Sequence, residues 1–140
     1  MIDIVFEAEP EFQPEFSHHT DAGADLKTTH DLEIRPGEHA TVNTGVKVNI
    51  PAGYAGYLHV RSSIGFKYGI QLANGTGIID SGFVGEIKAK LVNHGDKAIA
   101  FNRGDRIVQL VIHQLPAIRY RRGTIHTTER GANGFGSTGN

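Results

Sequence analysis

Apolar and polar residues alternate with a period of two along most of the chain. Val42, Thr44, Val46, Val48 and Ile50 alternate with Thr41, Asn43, Gly45, Lys47 and Asn49, which predicts one strand over 41–50 with a single wet face. Ile87, Ala89 and Leu91 alternate with Glu86, Lys88 and Lys90 in the same way. The run Ile107-Val108-Gln109-Leu110-Val111-Ile112 is apolar on both faces, so it predicts a central strand covered on both sides. Its β-branched content argues against a short buried helix. Arg35-Pro36-Gly37-Glu38, Pro51-Ala52-Gly53, Asn93-His94-Gly95-Asp96 and Asn102-Arg103-Gly104-Asp105 are turn signatures that separate these runs. No window holds helical spacing for long, and 61–68 is the one short candidate. The pattern predicts an all-β sandwich or barrel.

Composition narrows the class. At 140 residues the chain is one domain by length, with 39% hydrophobic and 21% charged residues. Fourteen basic residues against fifteen acidic ones leave no basic excess for a long nucleic acid. Without cysteine there is no disulfide, no thiolate nucleophile and no cysteine metal site, which fits a reducing compartment. Met1-Ile2-Asp3-Ile4-Val5-Phe6-Glu7 lacks the charge and apolar run of a signal peptide, and no apolar stretch is long enough to cross a membrane. The expectation is a soluble, cytoplasmic domain. Beyond Gly123 the composition shifts to Gly, Thr, Ser and Asn, with Phe135 the only aromatic. Such a segment cannot bury enough apolar surface to order itself. It reads as a floppy tail or as a lid that orders over a ligand. The chain accordingly divides into a β domain over 1–123 and a Gly-rich arm over 124–140.

Few residues offer chemistry on their own. Gly134-Phe135-Gly136-Ser137-Thr138-Gly139 matches G-x-G-x-x-G, but no helix can follow it. Gly131 to Gly136 has P-loop spacing, with Ser137 where the lysine belongs. Both motifs fail their context, yet successive glycine N–H groups still make a concavity for phosphate oxygens. Arg130, Ser137 and Thr138 add a charged fork and two hydroxyls. Arg61-Ser62-Ser63, with Gly65 and Lys67, reads either as an anion site or as a polar turn with Arg61 in an ion pair. Asp80 in Gly77-Ile78-Ile79-Asp80-Ser81-Gly82 either shapes a turn or serves as a general base. Asp21 and Asp25 flank Ala22-Gly23-Ala24 and read as turn residues or as oxygen ligands for a hard cation. The eight histidines show no metal-ligand spacing. Together these features point to a small ligand bearing phosphate.

Five segments, in order, resemble the motifs of the trimeric dUTP diphosphatase (dUTPase) family, and the resemblance spans nearly the whole chain. They are 22–26 (Ala-Gly-Ala-Asp-Leu), 61–70 (Arg-Ser-Ser-Ile-Gly-Phe-Lys-Tyr-Gly-Ile), 74–85 around Gly77-Ile78-Ile79-Asp80, 104–110 (Gly-Asp-Arg-Ile-Val-Gln-Leu) and 130–139. The resemblance implies a jelly-roll-like distorted β-barrel, of the β-clip kind, in a homotrimer with active sites shared between subunits. It implies Mg²⁺-dependent hydrolysis of dUTP to dUMP and pyrophosphate by water attack on the α-phosphorus. That reaction limits uracil incorporation into DNA and supplies dUMP for dTMP synthesis. In this reading Asp80 deprotonates the water, and Asn74, Gly77, Ile78 and Ile79 belong to a hairpin whose backbone reads the uracil edge. Ser62, Ser63 and Gln109 bind phosphate oxygens, Lys88 sits near the nucleotide, and Arg61 is partly structural. Asp25 contacts, through water, a Mg²⁺ held mainly by the triphosphate. Arg130 meets the γ-phosphate, Phe135 covers the uracil, and Gly136, Ser137 and Thr138 wrap the phosphates.

The sequence departs from the family pattern in places. Phe83 stands where tyrosine is usual, keeping the steric wall against a 2′-hydroxyl but losing the phenol. Gly82 replaces a common aspartate, Ser63 a common glycine, and Asn133 the first of two glycines in the arm. The homologous dCTP deaminases share Arg61-Ser62-Ser63, but they carry a glutamate where Lys88-Ala89-Lys90-Leu91 has lysine, and they lack the arm. A nucleotide-dependent regulator that binds a protein partner, as some phage-borne relatives are, is the reading from a different class. Intact Asp80 and an intact arm favour catalysis.

Overall fold

In the computed structural model, residues 1–139 are described. The alternating runs become eleven short antiparallel strands among those residues. In chain order they are β1 (Val5–Glu7), β2 (Ala24–Lys27), β3 (Leu32–Ile34), β4 (His39–Asn43), β5 (Lys47–Asn49), β6 (Tyr54–Val60), β7 (Ile70–Leu72), β8 (Gly77–Ile79), β9 (Lys88–Asn93), β10 (Ile99–Phe101) and β11 (Arg106–Gln114). A 3₁₀ turn, Pro10–Phe12, follows β1, and one helix, α1 (Ser62–Tyr68), joins β6 to β7. The larger sheet has the order β2-β11-β6-β8 and the second has β4-β9-β7. The ribbons β1-β5 and β3-β10 extend them. One core fills the space between: Leu26, Leu58, Val108 and Leu110 from the larger sheet meet Val42, Ala89, Leu91 and Ile70 from the second. This is the predicted all-β, jelly-roll-like class, and no helix is long and apolar enough to cross a membrane.

The predicted strand over 41–50 is divided in two. The alternation of burial does run from Val42 to Ile50, but the chain passes from β4, paired with β9, to β5, paired with β1. Gly45, with φ of +68°, makes the break. Thr44 holds it: its buried hydroxyl donates to the Ile87 carbonyl at 2.6 Å and accepts from the Val46 N–H at 3.2 Å. A hydroxyl on the apolar face was the local signal. β7 pairs with β9 while β8 pairs with β6, so the turn at 73–76 carries the chain from one sheet to the other.

All four turn signatures join successive strands, and the short helix at 61–68 forms as Ser62–Tyr68. Gly69 ends α1 in the left-handed conformation, its N–H donating to the Gly65 carbonyl. It packs backbone to backbone on Gly95. A Cβ at Gly95 would lie 2.5 Å from the Tyr68 carbonyl oxygen, and one at Gly69 would lie 3.0 Å from the Gly95 nitrogen. By contrast, nothing lies within 4 Å of a Cβ built on Gly37, in the β3–β4 turn. Arg103 clamps the 3₁₀ turn, with its guanidinium 4.7 Å from the Phe12 ring centroid and 2.7 Å from Glu11. β11 ends at Gln114, and residues 115–139 form no strand or helix and run exposed almost throughout. Irregular backbone therefore begins before Thr124, because Pro116 and the basic run after it offer no core-facing pattern in this chain.

Asn93 is the polar hub of the fold. It is fully buried at the end of β9 and donates to the carbonyls of Ile34 (2.8 Å) and Lys97 (2.7 Å). Its own Oδ1 accepts from the Gly95 N–H at 2.8 Å. Truncating it leaves one buried backbone group, the Ile34 carbonyl, and two part-buried ones without their partner, and a buried one costs about 1–3 kcal/mol. N93A is expected to lower the unfolding free energy by about 3 kcal/mol or more, read as a shift of the urea midpoint at unchanged slope.

Candidate functional site

Asp25 is the centre of a charged node. It lies on β2 opposite Gln109 of β11 and is only 7% exposed. Its Oδ1 accepts from Arg61 Nε at 3.1 Å. Its Oδ2 accepts from Ser17 Oγ at 3.2 Å and from Arg106 Nη1 at 3.3 Å, and Arg106 also donates to Ser17 Oγ at 2.6 Å. A buried carboxylate needs such partners, since an isolated one is far more costly. Arg61 occupies the N-cap of α1, and its N–H donates to the Ile107 carbonyl, so β6, α1 and β11 are tied at one point. The node floors an open cleft of about 570 Å³ whose rim includes Asp21, Ser62 and Gln109. Gln109 Nε2 reaches the Val60 carbonyl at 3.5 Å. Gly23 leaves room for it: a Cβ there would meet Gln109 Oε1 at 2.7 Å and Val111 Cγ2 at 3.1 Å.

A second cleft, of about 380 Å³, opens along β8 and shares no residue with the first. Asn74, Gly77, Ile78, Ile79, Phe83 and Lys88 line it. β8 is an edge strand, paired only with β6, so its outer backbone edge is free for a ligand. Phe83 folds back over Gly85, where a Cβ would lie 2.8 Å from its ring. Asp80 follows β8 directly and is exposed, lining neither cleft, and its carbonyl accepts from the Phe83 N–H at 3.0 Å. Ser63 does not line the first cleft but an adjoining hollow, which holds Lys67 and Tyr68 and shares Arg61 and Arg106 with the first.

The arm residues stand apart. Arg130 donates to the Asn133 carbonyl at 2.9 Å, and Ser137 N–H to the Gly134 carbonyl at 3.1 Å. All hydrogen bonds of the described residues 128–139 stay within that segment. Phe135 is fully exposed, with φ of +51°, followed by Gly136 at +81°. Thr138 is likewise exposed. The structure thus gathers Asp25, Arg61, Ser62 and Gln109 in one cleft and Asn74, Gly77, Ile78, Ile79, Phe83 and Lys88 in another. It brings neither Asp80 nor the arm into contact with the first.

Sequence reasoning gave no role to Ser17, Arg106 or Gly23. Arg106 stood in a quoted motif, directly after the Asn102–Asp105 turn, and its position opposite Lys27 of β2 was the available signal. Ser17 lies between two exposed residues, and nothing in its neighbours marks it. Among the described residues no three His, Asp or Glu side chains gather as a metal cluster. With both Asp25 oxygens already accepting, the chain fits a cation held by ligand oxygens and water rather than a resident metal.

An all-β domain with a guanidinium-and-hydroxyl cleft, an exposed carboxylate and a free strand edge has the donors to hold a small ligand bearing phosphate. A family profile described as dUTPase matches residues 12–139. The deoxyuridine 5′-triphosphate nucleotidohydrolase of Streptomyces avermitilis is 43% identical over 128 residues, covering 90% of this chain and 73% of that one. That of Cutibacterium acnes is 41% identical, covering 99% and 94%. The solved dUTPase of Staphylococcus bacteriophage 80alpha, with dUpNHpp, superposes with a TM-score of 0.86 at 27% identity over 99% of both chains. A mutant dUTPase of phage phi11 of S. aureus, described with a structural Mg(II) ion, superposes with a TM-score of 0.79 at 25% identity, covering 87% of this chain and 97% of that one. The chain belongs to the dUTPase family and is an enzyme of the dUTP diphosphatase class.

G23A is expected to push the Gln109 side chain out of the cleft. Misplacement of about 1 Å can cost up to a hundredfold in rate. Turnover should fall by about tenfold or more while the thermal midpoint shifts by only a few degrees, measured side by side on one preparation.

Proposed function

We propose that this chain hydrolyses dUTP to dUMP and pyrophosphate, at sites built between copies in a homotrimer. One observation carries the shared site. Asp25, Gln109, Tyr57 and Ile78 lie on one face of the larger sheet, and alternation puts Asp80 on that face too. Two strand spacings and four residues of rise then set Asp80 and Gln109 roughly 15 Å apart within a chain. A water attacking a phosphorus atom held beside Gln109 cannot be activated from there. A neighbouring copy that brings its own β8 cleft to the Asp25 cleft would close the gap.

In this reading the uracil edge meets the free backbone of β8, with Asn74 at its entrance, and the sugar packs on Phe83. Ser62, Ser63 and Gln109 donate to phosphate oxygens, and Arg61 holds its loop through Asp25. Asp80 takes the proton of the attacking water as its oxygen bonds to the α-phosphorus. The bond from that phosphorus to the bridging oxygen breaks, and pyrophosphate leaves. Donors fixed beforehand around the triphosphate stabilise the charge that builds up there. Mg²⁺, when bound, supplies charge neutralisation at the triphosphate, with Asp25 reaching it through water. The β domain over 1–123 serves as the platform. The arm over 124–140 closes on the nucleotide, with Arg130, Gly136, Ser137 and Thr138 at the phosphates and Phe135 over the base. A location in the cytoplasm, with no long nucleic acid as partner, completes the reading.

Three measurements test it. Asp80→Asn is expected to reduce pyrophosphate release from dUTP by about 10²–10⁴-fold, the usual worth of a positioned base. Equal rates for D80N and the parent enzyme would remove Asp80 from the chemistry. With Phe83 as the wall, dUTP should still be preferred over UTP, and equal turnover of the two would overturn that role. Removing the arm at Gly123 should leave sedimentation unchanged and lower kcat by at least tenfold, since ordered closure positions the reactants.

A further inference from the structure

Ser17 stands where the charged node meets solvent. The residue is exposed, yet its hydroxyl turns to the nearly buried Asp25. Its place is fixed on both sides. Before it, Glu15 and Asp25 exchange backbone hydrogen bonds at 3.2 and 2.7 Å, and Lys27 Nζ holds the Glu15 carboxylate at 3.0 Å. After it, residues 18–21 close a turn: the Asp21 N–H donates to the His18 carbonyl at 3.0 Å, and the His18 N–H to Asp21 Oδ2 at 2.9 Å. A serine hydroxyl has one proton, and a guanidinium only donates. Ser17 Oγ therefore accepts from Arg106 Nη1, at 2.6 Å, and spends its proton on Asp25 Oδ2, at 3.2 Å. Arg106 Nη1 stands 3.3 Å from that same carboxylate oxygen. The shorter of its two contacts is with the serine, so Ser17 rather than Asp25 sets where the guanidinium lies.

We infer that Ser17 is a positioning residue for the reaction: it divides Asp25 between two arginines and so keeps the Arg61 side chain in place. The inference rests on the reading that the Asp25 cleft holds the triphosphate. Arg61 has a single bond to the carboxylate, from Nε at 3.1 Å. Arg106 lines both the cleft and the adjoining hollow. With the Ser17 hydroxyl between them, its guanidinium stops short of a full pairing with Asp25. Without that hydroxyl, Arg106 closes on Asp25 as a two-bond fork, the geometry that a guanidinium and a carboxylate favour. The carboxylate then turns toward Arg106, and the lone Arg61 bond is the one given up. Arg61 directly precedes Ser62, and both line the cleft with Gln109. The displacement therefore reaches the donors set for phosphate oxygens. Only a side chain that accepts and donates at this point prevents it, and alanine does neither.

The test measures kcat/KM for dUTP in the parent enzyme, S17A, S17T, R106Q and the double variant S17A/R106Q. S17A is expected to lower kcat/KM by about tenfold, within what a misplacement of about 1 Å produces. Its thermal midpoint should move by no more than a few degrees, since Ser17 is exposed. S17T keeps the hydroxyl and adds a methyl at an exposed position, so it should recover most of the loss. In the R106Q background the S17A step should cost less than about twofold, because residues in one hydrogen-bond network do not act additively. An S17A enzyme as fast as the parent overturns the inference. So does S17T no better than S17A, or the same tenfold step in R106Q. A fall in the S17A midpoint large enough to account for the lost activity overturns it as well, and makes the serine merely structural. If R106Q turns over too slowly to follow, calorimetric binding of dUpNHpp replaces kcat/KM in the same cycle, with additive losses counting against the inference. Failure of the underlying reading has a different signature: a folded parent enzyme that neither turns over dUTP nor binds dUpNHpp, which overturns the inference with it.

Discussion

Two guanidinium groups converge on one nearly buried carboxylate, and the geometry of the site depends on that meeting. Asp25 joins β2 to the start of β11 through Arg106 and to the start of α1 through Arg61. Without it, the Arg61 and Arg106 side chains lose the anchor that fixes them in the cleft, and only the backbone bond from the Arg61 N–H to the Ile107 carbonyl still ties the start of α1 to β11. The energetics are asymmetric. The intact triad adds little net stability, because desolvation offsets most of the attraction and Arg106 is 41% exposed. Removing the carboxylate would leave two cations facing each other with no counter-charge. The triad is better understood as a device of position than as a source of stability.

The sheet topology then decides how far one chain can go. β8 is the last strand of the larger sheet and β2 is the first, with β11 and β6 between them. The β8 cleft and the Asp25 cleft are consequently held at a fixed separation by ordinary strand spacing. No side-chain rotation bridges it. The same antiparallel order that buries Leu58, Val108 and Leu110 also keeps the two clefts from closing on each other.

Much of this was legible in the sequence, for identifiable reasons. The period-two alternation marked the buried residues from Val42 to Ile50 correctly, because burial follows the pleat wherever the backbone stays extended. It did not mark the break at Gly45, because a change of sheet leaves the alternation intact. The four turns and the short helix were readable from Gly, Pro and Asn placement. The charged node was half visible. Asp25 and Arg61 stood out as residue types, while Ser17 and Arg106 enter only through contacts between distant segments, 89 residues apart in that pair. Glu86 was counted as the wet face of a strand, yet one of its carboxylate oxygens is enclosed.

The contact between Gly69 and Gly95 bears on how this protein can be redesigned. Two backbones meet there with no side chain to absorb a change, so neither position tolerates randomisation in a library, and the 93–96 turn is a poor graft point. The β3–β4 turn is more open, with space around Gly37, but its Gly37 N–H and Glu38 carbonyl are both bonded to the backbone of Asn93. A peptide tag or a second domain inserted at that turn would face solvent, and it would leave the 93–96 turn undisturbed only where those two bonds are kept.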